Sequence, residues 1–165
     1  MIPYLFLPAL GILLTLLYAT HLDLKERRVP KPTWYPMLAI GTLPALWFYL
    51  HNPMPILITI TIGATAYLMA RINIIGGADA YAILYISFLL PTFPLDPLFG
   101  YPALPSFPLA WLLNTAFLSI MLLPCILLVQ HLTRKTSWLQ TGVPWMLFGT
   151  LGYILTLTCG KVTYI

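Results

Sequence analysis

The sequence predicts an all-α, polytopic membrane protein with about six transmembrane helices. Of its 165 residues, 60% are hydrophobic and only 7% are charged, and the mean hydropathy is +0.90. A soluble domain of this length could not cover its surface with eight Lys or Arg and four Asp or Glu residues, so lipid is expected to cover it. The apolar residues also fall into runs long enough for helices to cross a bilayer.

Six apolar runs mark the predicted helices, at 2–22, 34–50, 54–72, 79–91, 108–131 and 143–160. A spanning helix needs about 17–25 apolar residues, and shorter runs are accepted where neighbouring helices shield them. The first run lacks the basic region and small-residue cleavage site of a secretory signal, so we expect a retained helix. The fourth run is short, and Pro91 is expected to end or kink it because proline removes a backbone donor and clashes with the preceding turn.

The positions of the cations favour six spans with the N-terminus outside. Lys and Arg accumulate in the cytoplasmic loops of membrane proteins. In this topology only Lys161 lies outside, and Asp23 and Asp79 both lie at the cytoplasmic face. The cations placed inside are Lys25, Arg27, Arg28, Lys31, Arg71, Arg134 and Lys135.

The connections on the outer side are rich in proline and nearly uncharged. The connection 51–55 is short, whereas 91–108 holds six prolines and is predicted to be a long structured loop. Asp96, within this loop, is assigned to turn chemistry. Since no soluble domain separates the helices, we interpret residues 1–165 as one integral membrane domain.

Asp79 is the most informative residue, because it follows two glycines and an alanine and opens an apolar run in a chain with only four acids. Asp23 closes the first apolar run in the same way. Peptide hydrolysis without a nucleophilic side chain or metal needs one carboxylate to take a proton from water and a carboxylic acid to polarise the carbonyl. Two acids that share one proton can do both. The pair therefore predicts an aspartyl protease at the membrane edge.

The residues around Asp79 also have an interpretation without chemistry. Gly76 and Gly77 would free the chain to turn before the fourth helix and would allow a close backbone approach. Asp79 would then lie in the first helical turn, where it could simply cap the helix, and Asp23 could belong to a solvated turn. An acid at an apolar boundary is costly, and the occurrence of two favours function.

The two motifs resemble those of the type IV prepilin peptidases, especially the archaeal members that process preflagellins and pilin-like precursors. The family pairs an aspartate, followed six residues later by Ile or Val and then Pro, with a second aspartate in a Gly-x-Gly-Asp or Gly-Gly-Ala-Asp setting ahead of a helix. The matching residues are Asp23, Val29 and Pro30 in the first motif and Gly76, Gly77, Ala78 and Asp79 in the second. The resemblance covers most of the chain.

This resemblance implies a membrane aspartyl endopeptidase that removes a short basic leader, a class III signal peptide, from prepilin-like or preflagellin-like precursors at the cytoplasmic face of the cell membrane. The family often has Lys two residues after the second aspartate, where this chain has Tyr81, and bacterial members often have Asn where it has Lys31. Bacterial enzymes that also N-methylate carry a cysteine-rich insertion, which is absent between the first two spans here. The resemblance therefore implies cleavage without methylation.

Charged residues after Asp23, together with Tyr81, are candidates for contact with substrate or lipid. The charged residues are Lys25, Glu26, Arg27 and Arg28. A basic leader would be repelled by the cations, so anionic membrane lipid is favoured as their partner. Glu26 could meet a basic leader residue or pair with its neighbours. Topology already accounts for the cations, so no nucleic-acid partner is predicted.

No metal or other cofactor is predicted, because Cys125 and Cys159 have no ligand neighbours at metal-site spacing. Three alternatives remain for the two acids. Presenilin-like proteases share the Gly-x-Gly-Asp motif, but their Pro-Ala-Leu motif has no counterpart at the right position here. A small proton-coupled transporter or channel would place the acids near the midplane and often shows an internal repeat, which we do not find. A catalytically silent relative that binds pilin-like helices is the third.

Overall fold

The computed structural model describes residues 5–26, 28–93, 106–133 and 145–159, with the backbone alone from 129 to 133. Within these ranges the fold is all-α, as the sequence predicts. A 3-10 helix covers Lys31–Trp34. The α-helices are α1 (Phe6–Glu26), α2 (Tyr35–His51), α3 (Pro55–Arg71), α4 (Gly77–Leu89), α5 (Phe107–Thr133) and α6 (Trp145–Cys159).

Several predicted features lie outside the described residues. They include most of the proline-rich loop, at 94–105. The charged residues concerned are Arg27, Asp96, Arg134, Lys135 and Lys161.

Two predicted boundaries were wrong. The first helix continues to Glu26 instead of ending near residue 22, so Asp23 lies inside its last turn. Leu, Lys and Glu, which follow Asp23, are good helix formers and extend the helix beyond the apolar run. The fourth helix covers Gly77–Leu89 instead of 79–91, and it ends shortly before Pro91, which is one of the two outcomes expected of this proline.

The apolar helices agree with a membrane protein. By length and composition, α1 and the Phe107–Leu128 part of α5 could each cross a bilayer. The helices α3, α4 and α6 are apolar but shorter. Large apolar side chains lie on the outside of the bundle, including Leu43, Leu50 and Met54, each more than three-quarters exposed. Exposure on this scale is typical of a surface that meets lipid.

The helices pack mainly as two pairs joined by α1. The pairs are α5 with α6 and α3 with α4, while α1 contacts α2, α6 and α4. Buried polar groups join helices across these contacts, because an unpaired polar group in apolar surroundings costs free energy. Tyr153 donates from α6 to the Ala9 carbonyl of α1 at 2.9 Å. Thr20 of α1 shares a 2.7 Å hydrogen bond with Thr150 of α6.

A second polar cluster fixes the α3–α4 pair against α2. The Tyr49 hydroxyl of α2 lies 2.7 Å from the Thr59 hydroxyl of α3 and donates to the Phe88 carbonyl of α4 at 3.1 Å. This cluster therefore fixes the last turn of α4, at the opposite end of that helix from Asp79.

Candidate active site

The chain turns from α3 towards α4 at Asn73. This residue has a φ of 57°, in the left-handed region, and the Ile74 N–H donates back to the Met69 carbonyl at 2.9 Å. Such a bond is typical of a helix that ends in a Schellman motif, where Asn is the usual substitute for Gly. The sequence reasoning missed this turn, although an Asn at the end of an apolar run was an available signal.

Gly76 is the N-cap residue that precedes α4, and it binds the carboxylate of Asp79. Its backbone is extended, and its N–H donates to Asp79 Oδ2 at 3.2 Å. Asp79 is the third residue of α4 and thus lies in the first turn, as predicted. This bond is the side-chain half of a capping box. Asp79 therefore does cap its helix, a role that occupies one of its two carboxylate oxygens.

The two glycines before Asp79 differ in their surroundings. A Cβ added to Gly76 would lie 2.9 Å from Asp79 Oδ2, which is closer than ordinary contact. A Cβ added to Gly77 would meet no atom within 4 Å. The close approach at Gly76 is thus made by the carboxylate of Asp79 itself, while Gly77 borders open space.

The structure brings the two predicted acids together. Asp23, in the last turn of α1, and Asp79 are both partly buried. They line one open pocket of about 650 Å³. The remaining lining residues are Glu26, Arg28, Val29, Pro30, Lys31, Gly76, Gly77 and Ala78. Both sequence motifs therefore converge on a single pocket.

The other predicted contact residues lie at different places. Lys25 is exposed on the last turn of α1 and does not line the pocket. Tyr81 lies half a turn beyond Asp79 and lines a neighbouring cavity of about 260 Å³ together with Arg71. Gly77 borders both cavities, so the two are adjacent.

Asp79 precedes the apolar residues 80–86 of α4. Its surroundings raise its pKa from the ordinary 3.8 to about 6. Burial is the main cause, because removal of water disfavours the charged form. The hydrogen bond from Gly76 lowers the pKa, whereas the negative charge of Asp23 raises it further. The two carboxyl groups are therefore close enough to influence each other's protonation.

A cation lies beside this pair. Lys31 lines the pocket, and its Nζ lies 5.8 Å from the centroid of the Tyr81 ring. From the sequence, Lys31 and Tyr81 were considered separately, as two departures from the family motifs, with Tyr81 also a candidate contact for substrate or lipid. Their contact could not be inferred, since they are 50 residues apart in the sequence.

This arrangement offers an acid and a base in one water-accessible pocket. A carboxyl group with a raised pKa keeps its proton to higher pH than an ordinary one, and it can then act as an acid beside a second carboxyl group that acts as a base. Such a pair can move protons during hydrolysis without a nucleophilic side chain. Among the side chains that the structure describes, no three His, Cys, Asp or Glu residues lie together as metal ligands would.

Comparison with known proteins adds independent information. The model of the type IV leader peptidase family matches residues 10–128, which include both acids. The chain is similar to a preflagellin peptidase of Methanocaldococcus jannaschii, with 28% identity over 76% of this chain and 56% of the relative. A preflagellin peptidase of Methanococcus voltae is 34% identical over 74% of this chain and 57% of the relative. The chain thus spans a little over half the length of these curated relatives. No solved structure matches it.

Proposed function

Because the chain belongs to the type IV leader peptidase family, we propose that it is a membrane-embedded aspartyl endopeptidase. Its substrates are prepilin-like or preflagellin-like precursors, from which it removes the short basic leader at the cytoplasmic face of the cell membrane. The observation that carries the proposal is the meeting of Asp23 and Asp79 in one open pocket. The preflagellin peptidases to which the chain is similar support the substrate class.

Asp79 is the acid of the proposed pair, because its raised pKa keeps it protonated to higher pH than an ordinary carboxyl group. Its proton is donated in a hydrogen bond to the scissile carbonyl oxygen. Asp23 accepts a proton from water as the water oxygen attacks the carbonyl carbon. When the tetrahedral intermediate collapses, the C–N bond breaks and the leaving amine takes the proton from Asp23. The two groups titrate as one coupled unit.

The position of the pocket suits a peptide that approaches from the membrane edge. Both acids lie within one turn of a helix end, and Glu26 and Arg28 beside them are exposed. A transporter or channel would instead hold its acids along a path near the membrane midplane. Helix-end placement thus supports the peptidase over the transport alternative. The six-span topology with an external N-terminus belongs to the same proposal, as does a single domain over residues 1–165.

Leader and lipid are recognised by different charges in this proposal. Glu26 is the exposed acid of the pocket wall and suits a basic residue of the leader. Lys25 and Arg28 are exposed cations that suit anionic lipid head groups. Arg27 is assigned to the same lipid contact from the sequence alone.

The test is cleavage of a panel of class III precursors by the purified protein in liposomes. Wild type, Asp23→Asn and Asp79→Asn are compared, and co-purification with the precursor measures binding separately. We expect the wild type to cut and both variants to bind without cutting. Cleavage by either variant at the wild-type rate would show that the dyad is wrong. Binding without cleavage by any form, wild type included, would favour the silent pilin-binding alternative.

The same samples test the absence of N-methylation. We expect the cleaved precursor to carry a free amine at its new N-terminus, even when S-adenosylmethionine is supplied. Mass spectrometry of the product reads this directly, since each methyl group adds a fixed mass. A methylated product would contradict this part of the proposal.

A further inference from the structure

The 3-10 helix after α1 is attached to α4 at two points. At its first residue, the Lys31 ammonium lies over the Tyr81 ring, 5.8 Å from the centroid. At its last residue, the Trp34 ring lies 6.3 Å from the Tyr85 ring, with an interplanar angle of 52°. Residues three apart in a 3-10 helix share a face, and residues four apart share a face of an α-helix. Lys31 and Trp34 therefore lie on one face of the 3-10 helix, and Tyr81 and Tyr85 lie on the face of α4 that meets it.

The two aromatic rings that α4 contributes to this contact, those of Tyr81 and Tyr85, also pack against each other. The Tyr81 and Tyr85 rings stack at 5.8 Å with an interplanar angle of 17°. Trp34 is only 1% exposed, so one attachment is a buried anchor. The other attachment, at Lys31, is exposed at the pocket. A cation within about 6 Å of a ring centroid is attracted to the face of the ring.

The attached segment forms a wall of the acid pocket. Val29, Pro30 and Lys31 line it on the side of α1, and Asp79 lies on α4, half a turn before Tyr81. Movement of Lys31 away from Tyr81 would therefore change the distance between this wall and Asp79. A misplacement of about 1 Å can cost an enzyme on the order of 100-fold in rate, so even a weak attachment here affects catalysis.

We propose that Lys31 and Tyr81 are positioning residues, whose cation–ring contact holds the wall 29–31 at the correct distance from the helix that carries Asp79. This inference rests on the proposed function. Lys31 acts through Tyr81 and not through contact with the precursor. The contact needs a cation at position 31 and an aromatic ring at position 81, and a tyrosine hydroxyl is not required.

The test is a double-mutant cycle on precursor cleavage. Lys31→Met keeps the aliphatic chain and removes the charge, and Tyr81→Leu removes the ring. Each should lower kcat by about 2- to 5-fold, which corresponds to the strength of an exposed cation–ring contact, with KM little changed. The double variant should be no slower than the slower single variant. Lys31→Arg and Tyr81→Phe should keep the wild-type rate, and Tyr18→Leu, at an exposed tyrosine of α1, is the control.

Two results would overturn the inference. If the effects of the two single variants multiply, the side chains act independently. If Lys31→Met raises KM and leaves kcat unchanged, Lys31 contacts the precursor instead.

A stability cycle separates this inference from the proposed function. The same four proteins should show a coupling of about 1–4 °C between the two positions in the thermal unfolding midpoint. If the wild type cuts no precursor, the proposed function has failed, and the stability cycle still reports the contact. Absence of coupling in that cycle would overturn the inference even if the wild type is active.

Discussion

The α5–α6 pair and the acid pocket are opposite in construction. Between α5 and α6, a Cβ added to Gly152 would lie 2.9 Å from the Thr115 Cα, so backbone meets backbone. The Trp111 indole donates to the Gly149 carbonyl at 2.8 Å in the same contact. In the acid pocket, by contrast, Gly77 faces open space and both carboxyl groups are only partly buried.

This difference indicates that substitutions at the α5–α6 pair affect mainly stability, whereas substitutions at the acid pocket affect mainly activity. Where helices touch through backbone, an added methyl group must push the helices apart, so its cost falls on the free energy of unfolding. Where a pocket is open, the same change leaves packing intact and affects the groups that react. Burial raises the pKa of Asp79, which means that the ionised carboxylate at this open site is less stable than it would be in water.

The largest expected effect comes from neutralising the acids. Asp23→Asn and Asp79→Asn should each lower cleavage by about 10²- to 10⁴-fold, the usual contribution of acid–base groups. At pH 7, Asp79→Asn should raise the thermal unfolding midpoint. The pKa of Asp79 is about 6 when folded against an ordinary 3.8, so above pH 6 the native state carries the cost of the partly buried charge. A lowered midpoint would contradict the comparison.

The two neighbouring glycines give the next effect. Gly76→Ala should lower kcat by on the order of 100-fold, because the new Cβ would lie 2.9 Å from Asp79 Oδ2 and push the carboxylate aside, and a misplacement of about 1 Å can cost that much. Gly77→Ala adds the same methyl group where no atom lies within 4 Å, so its kcat should fall far less. Kinetics of both variants with one precursor measure the ratio. Equal losses would show that Asp79 is not held through Gly76.

A change of pH is expected to lower the rate of cleavage somewhat less than Gly76→Ala does. If Asp79 must carry the proton, kcat/KM should fall as pH rises through about 6. Between pH 6 and pH 8 the protonated fraction drops from about one half to about one in a hundred, a loss of about 50-fold. The measurement is kcat/KM against pH, with the unfolding midpoint followed in the same buffers. A rate that rises through this range would assign the proton to another group.

The smallest effect on activity is expected at the α5–α6 pair. Gly152→Ala should lower the free energy of unfolding by about 1–3 kcal/mol, since Thr115 backbone cannot give way as a side chain could. Gly63→Ala, whose Cβ would meet Leu84 at an ordinary 3.9 Å, is the matched control and should not destabilise. Unfolding in detergent measures both, and the cleavage rate of folded Gly152→Ala should match that of the wild type. If Gly152→Ala lowered activity without lowering stability, the α5–α6 pair would contribute to catalysis and the distinction between the two regions would be wrong.

The composition and the apolar runs of the sequence predict the all-helical class and the approximate positions of six apolar helices. These are local properties, because run length and composition act within each segment. The sequence also supplied the two acid motifs and the position of Asp79 in a first helical turn. The end of α1 was misplaced, since helix-forming Leu24, Lys25 and Glu26 carry the helix beyond its apolar run.

The residues that meet across the bundle are set by the way its helices pack. The pocket shared by Asp23 and Asp79, the contact of Lys31 with Tyr81 and the close approach of Gly152 to Thr115 each join segments far apart in the chain. No periodicity or run length encodes such pairings, because they depend on how whole helices fit together and on which buried polar groups find partners. The sequence therefore suggested the chemistry proposed for the acids, whereas their convergence on one pocket depended on how α1, α2 and α4 pack together.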